Sequence, residues 1–183
     1  GLALLAYWTS NIPLKGEALR GFLFWGVSSV IIESMPVYLS QSEIVTLGFP
    51  IAYASLLIYG PGISSWVAIC GAIIGVGRSK KLAIDKILFN SAQLTLSISI
   101  GWIVYKKLGG TLITSNSTGS FFPLILSAGA YFLVNTLLVS TAIALQQKTS
   151  ILKTELFSFK WGIPNYIAQA PVAFLMAVVY RQI

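Results

Sequence analysis

Six apolar stretches occupy almost the whole chain, at about 19–38, 44–59, 63–76, 87–105, 121–145 and 161–180, with little charge between them. A chain built this way has few options. In lipid every backbone N–H and C=O must be satisfied within the protein, which leaves helices or closed barrels. The runs are too long and too uniform for the strict alternation of barrel strands, so helix is the reading. Composition agrees. Hydrophobic residues make up 56% and charged residues 9%, against about a quarter charged in soluble domains, and mean hydropathy is +0.82. The expected fold class is all-α, a polytopic transmembrane helical bundle of about six spans forming a single domain over 1–183.

Pro36 should distort the end of the first span and Pro50 interrupts the second. Gly60-Pro61-Gly62 then demands a tight turn, because Gly permits positive φ while Pro fixes its own φ and lacks an N–H. The second and third segments therefore read as a close helical hairpin, shorter than the ~20 residues of an ordinary span. Residues 1–9 read as the end of a preceding span, and with the abrupt close after Tyr180 they suggest an excerpt of a longer protein. Loop 78–86 and connector 147–160 carry Arg78, Lys80, Lys81, Lys86, Lys148, Lys153 and Lys160; the other face carries Lys15, Arg20, Lys106, Lys107 and Arg181. The excess of basic residues makes 78–86 and 147–160 cytoplasmic and places the chain, multi-pass, in the inner (plasma) membrane.

No reaction is spelled out. The chain has no histidine and one cysteine, Cys70, which reads as a small packing residue; two common sources of metal ligands are therefore almost absent, and a Ser-His-acid relay is excluded. Glu17, Glu33, Glu43, Asp85 and Glu155 are scattered, and Gly75-Val76-Gly77 lacks the strand-turn-helix context of a phosphate loop. The expectation is no enzyme, no cofactor and no metal. The net charge of +7 lies at the ends of apolar segments, where it reports orientation rather than nucleic-acid binding. Asn116-Ser117-Thr118 matches a glycosylation sequon with nothing else to support it.

Glu33 is the sharpest candidate, because a carboxylate near the end of a span is costly unless paired or hydrated. It could bind a cation, relay a proton or fix a helix pair; equally, one turn from the interface, it could tilt outward into water. Asn90 and Gln93 share one helix face at three-residue spacing, Asn165 and Gln169 repeat this at four, and Asn135 lies within the fifth span. Amides in hydrocarbon must find partners, so they either join helices, at about a kcal/mol or less each, or line a ligand cavity. Gly71 and Gly75 form a small-x-x-x-small pattern suited to close helix packing. Trp8, Tyr38, Tyr59, Tyr105, Trp161 and Tyr180 fall at span ends, as an interfacial aromatic belt would.

Phe89-Asn90-Ser91-Ala92-Gln93-Leu94 and Val104-Tyr105-Lys106-Lys107-Leu108-Gly109-Gly110 carry a family resemblance, with Glu33 to Pro36, Gly60-Pro61-Gly62 and Ile163-Pro164-Asn165-Tyr166 fitting the same pattern. The chain resembles the multi-span N-terminal region of bacterial membrane-bound signalling proteins, chiefly HD-GYP-type cyclic-di-GMP phosphodiesterases and some GGDEF-type diguanylate cyclases. That resemblance implies a sensory or anchoring module feeding a cytoplasmic catalytic domain, with none of the His-Asp ligands or the Gly-Tyr-Pro motif in this chain. Its expected partners are the bilayer, a small apolar ligand or a membrane-protein partner, and further subunits in an oligomer or complex; nucleic acid is not among them. Two other readings stay open. One is the substrate-binding subunit of a vitamin transporter of the energy-coupling-factor type; the other is an accessory structural subunit of a larger membrane complex.

Overall fold

The computed structural model describes residues 1–12, 15–35, 37–38, 44–45, 48–77, 84–116 and 120–182, and for 37–38, 44–45, 76–77, 151–165 and 167 only the backbone. Among the described residues seven helices follow one another: α1 Leu2–Ser10, α2 Glu17–Ser34, α3 Gly48–Tyr59, α4 Pro61–Gly77, α5 Ile84–Lys107, α6 Phe121–Gln147 and α7 Ile151–Gln182. Between α2 and α3, Val37–Tyr38 (β1) and Ile44–Val45 (β2) pair antiparallel, Val37 opposite Val45 and Tyr38 opposite Ile44.

The Gly60-Pro61 step produces the hairpin that the sequence announces. Gly60 adopts φ +80°, its N–H donates to Leu56 O at 2.9 Å, and Pro61 starts α4 at the position where a missing N–H is harmless. Ser64 Oγ then donates to Ala52 O at 2.7 Å, tying the two helices side by side. α3 is buried along almost its whole length, from Phe49 to Ile58. It packs against α2, α4, α5 and α7.

At the end of the bundle that holds the α3–α4 turn, α7 is clamped. Arg181 Nη1 pairs with Glu17 at the start of α2, Nε donates to Ile113 O at 3.1 Å, and Ile113 N–H reaches back to Leu57 O at 2.8 Å. Tyr59 and Tyr180 hydroxyls lie 3.0 Å apart, and Tyr105 Oη donates to Thr111 O at 2.8 Å. These span-end tyrosines join segments of the bundle to one another instead of standing in a lipid-facing ring; Tyr105 is only 1% exposed. Trp8 Nε1 donates to Ser99 Oγ and Trp66 Nε1 to Thr9 Oγ1, each at 2.9 Å, docking α1 onto α5 and α4.

Helix boundaries differ from the sequence reading in two places. Residues 37–38 and 44–45, expected at the ends of spans, form the β1–β2 pairing. The connector expected over 147–160 is largely helix, since α7 begins at Ile151; Lys153, Glu155 and Lys160 interrupt the hydropathy of that segment but not its helix propensity. Residues 78–83 of the basic loop, Glu43, Ser117 and Thr118 lie outside the described residues, as do the side chains of Lys153, Lys160 and Trp161.

By length and composition α5 and α6 are each apolar enough to cross a membrane, while α3 and α4 are apolar but shorter. The outward surface is lipid-like. Leu23, Val27 and Ile31 on α2, Leu126, Leu133 and Leu137 on α6, and Val172, Leu175 and Val179 on α7 are all exposed. Ridges of this size on several helices are unusual for a water-facing surface and suit acyl chains.

Candidate functional site

The other end of the bundle opens into a cavity of about 550 Å³. Its walls come from α2 (Ser29, Glu33), α3 (Gly48, Phe49, Ala52), α4 (Ala68, Ala72, Gly75), α5 (Lys86, Asn90, Gln93, Leu94), α6 (Tyr131, Asn135, Val139) and α7 (Tyr166, Gln169). Each helix contributes residues three or four apart, so a single face of each points inward. Small side chains on α3 and α4 leave the space; polar side chains on α2, α5, α6 and α7 surround it.

Glu33 is held inward by two glycines. A Cβ on Gly48 would collide with its carboxylate, and one on Gly71 with its Cγ and with Ser29 Oγ. The carboxylate therefore lies against the first residue of α3, where the partial positive charge of a helix N-terminus favours an anion. The outward-tilting alternative is not the conformation seen. On the opposite wall, Asn135 Nδ2 donates to Tyr166 Oη at 3.5 Å, linking α6 to α7. Phe49, Tyr131 and Tyr166 form an aromatic wall, with ring centroids of Phe49 and Tyr166 4.7 Å apart and of Phe49 and Tyr131 5.1 Å apart. Gln93 is 7% exposed, and its Oε1 is buried with no hydrogen-bond partner among the described residues.

Five of the six polar candidates from the sequence, Glu33, Asn90, Gln93, Asn135 and Gln169, line this one cavity. The side chain of Asn165 lies outside the described residues. The paired glycines part company. Gly71 sits where α2 crosses α4, whereas Gly75 has no described atom within 4 Å of its Cβ position and lines the cavity. Among the described residues the small-x-x-x-small pattern makes a close helix crossing at Gly71, against the last turns of α2, which ends at Ser34. Ser29, Phe49 and Tyr131 were not singled out from sequence, Lys86 only as a loop charge and Tyr166 only within the Ile163-Pro164-Asn165-Tyr166 motif. The available signal was spacing: Ser29 precedes Glu33, Lys86 precedes Asn90 and Tyr131 precedes Asn135 by four residues, and Tyr166 precedes Gln169 by three.

Among the described residues no cluster of three or more His, Cys, Asp or Glu side chains could hold a metal ion. What the arrangement can do is bind: it offers a carboxylate, an ammonium, amides and aromatic faces in a space closed off from the ridges of α2, α6 and α7. Comparison with protein families matches the MASE9 model to residues 18–183, a range that includes every residue of the cavity wall. The chain belongs to the MASE9 family. MASE9 is a membrane-associated sensor family, so the membrane reading of composition and the lipid-like ridges have a common explanation. No curated protein and no solved structure matches the chain. In this MASE9 chain the cavity, rather than any reactive group, is the feature on which a sensory role can rest.

Proposed function

We propose that this MASE9 chain is the non-catalytic sensory module of a bacterial signalling protein, embedded multi-pass in the inner membrane. Its cavity takes a small ligand, and occupancy is passed to a cytoplasmic output of the HD-GYP or GGDEF type that turns over cyclic-di-GMP. One observation carries the reading: Glu33, Asn90, Gln93, Asn135 and Gln169 come from α2, α5, α6 and α7 to surround a single space. Polar side chains collected only to glue helices would be spread over many interfaces. Here they converge on a volume large enough for a small molecule.

Signalling then requires that the ligand prefer one of two helix packings, since binding shifts an equilibrium only through a difference in affinity. The wall is suited to this, because α7 meets the cavity through Tyr166 and Gln169 and is pinned at its far end by Arg181. The proposed orientation places the open end of the cavity, with Lys86 at its rim, on the cytoplasmic side.

The test uses the full-length protein in cells carrying a fluorescent cyclic-di-GMP reporter. Gly75→Trp fills the cavity from a position with free space, and Asn135→Leu removes a polar wall group. Both variants are expected to shift the reporter by several-fold at wild-type membrane levels of protein. Equal reporter signal from wild type and both variants would overturn the proposal.

A further inference from the structure

We infer that the polar cavity and an apolar recess beside it are two halves of one site for a single-chain amphiphile, with an ammonium-bearing head in the cavity and a hydrocarbon tail in the recess. This rests on the ligand-sensing reading above and specifies its ligand class. The recess, of about 560 Å³, lies between α6 and α7 and is walled by Leu126, Gly129, Ala130, Leu133 and Ala170 among others. It exists because its floor is made of small residues, and no described atom lies within 4 Å of the Cβ position of Gly129.

Tyr166 belongs to both walls. Its ring stands between Phe49, 4.7 Å away on the cavity side, and Phe132, 4.8 Å away on the recess side. Its hydroxyl meets Asn135. A single side chain thus partitions a polar chamber from an apolar one, and swinging it aside would join them. The recess opens on the exposed face of α6, beside Ile125, Leu126 and Leu133, and α6 is long and apolar enough to cross the bilayer. A tail can therefore enter sideways from lipid.

The head chemistry follows from the chamber. Gln93 Oε1 is a buried acceptor in need of a donor, and an ammonium offers three. Phe49, Tyr131 and Tyr166 present the aromatic faces that attract a cation, and Glu33 supplies the opposite charge. Lys86, the one cation among the described residues of the wall, stands exposed at the mouth, where it favours an ammonium seated deep over one near the rim.

The experiment uses full-length protein in phosphatidylcholine nanodiscs and three probes: hexadecylamine with a diazirine in its tail, the same tail with a methyl ether head, and ethylamine. The amine probe should photolabel the 125–133 peptide. Ala130→Trp, which blocks the recess, should cut that labelling by about tenfold while ethylamine still perturbs Tyr166, read by ¹⁹F resonance of fluorotyrosine-labelled protein. Glu33→Gln should weaken competition by untagged hexadecylamine by about tenfold, the scale of one lost charge-assisted bond, and leave ether labelling unchanged. Equal labelling by amine and ether probes would mean bulk lipid partitioning and would sink the amphiphile. Ethylamine binding without labelling at 125–133 would overturn the amphiphile and leave the sensing reading standing. Failure of every probe, with a reporter indifferent to cavity filling, would remove both.

Discussion

Glycine positions decide how Glu33 is presented. Gly71→Ala should lower the melting temperature of the detergent-purified protein by the equivalent of about 1–3 kcal/mol, because the added methyl meets Ser29 and Glu33 in a packed crossing. Gly75→Ala, four residues on, should leave it within about 0.5 kcal/mol, as expected where no packing is disturbed. Gln93→Met tests the opposite trade. Removing a buried acceptor that lacks a partner should raise the stability of the empty protein by about 1 kcal/mol, while ligand-dependent stabilisation disappears; thermal scans with and without hexadecylamine check both. The amides and Glu33 were legible in the sequence as candidates, because polar groups inside apolar runs must find partners or water, but whether they would join helices or surround a cavity was not. Tyr131 and Tyr166 were not, since a tyrosine in an apolar helix reads as core or belt until its three- or four-residue neighbour is considered.

Elements are punctuated by local chemistry, and the α3–α4 hairpin shows how far that goes. Gly60 at φ +80° is a conformation that costs an L-residue about 1–2 kcal/mol. Gly60→Val should therefore lower the melting temperature, whereas Pro61→Ala, which leaves the turn geometry accessible, should change it little. The turn was readable because Gly and Pro act on their own backbone dihedrals. The start of α7 was not, because the charges at Lys153, Glu155 and Lys160 mimic a loop to any hydropathy scale while being good helix formers. The β1–β2 pairing was equally hidden: Val37, Tyr38, Ile44 and Val45 are apolar and β-favouring, and short apolar runs do not distinguish strand from helix by periodicity.

For the whole molecule, the proposed topology is checked by single cysteines in a Cys70→Ser background. Lys148→Cys should react with an impermeant maleimide only in inside-out vesicles, and Asn116→Cys only in intact spheroplasts; labelling of both from one side would refute the orientation. The helical class was legible at this scale from the length and uniformity of the apolar runs, whereas the cavity depended on how α2, α4, α5, α6 and α7 close around α3, which no local pattern encodes. One dimension of that arrangement reaches further. α3 has 12 residues, about 18 Å of helix, against a hydrocarbon thickness of about 30 Å. With α3 crossing the membrane as proposed, water filling the polar chamber at its Gly48 end would concentrate the membrane voltage across the septum left beyond it. Moving a unit charge through the full potential is worth roughly 2.3 kcal/mol per 100 mV, so a cation seated against Glu33 would feel the energised state of the cell as well as its own concentration.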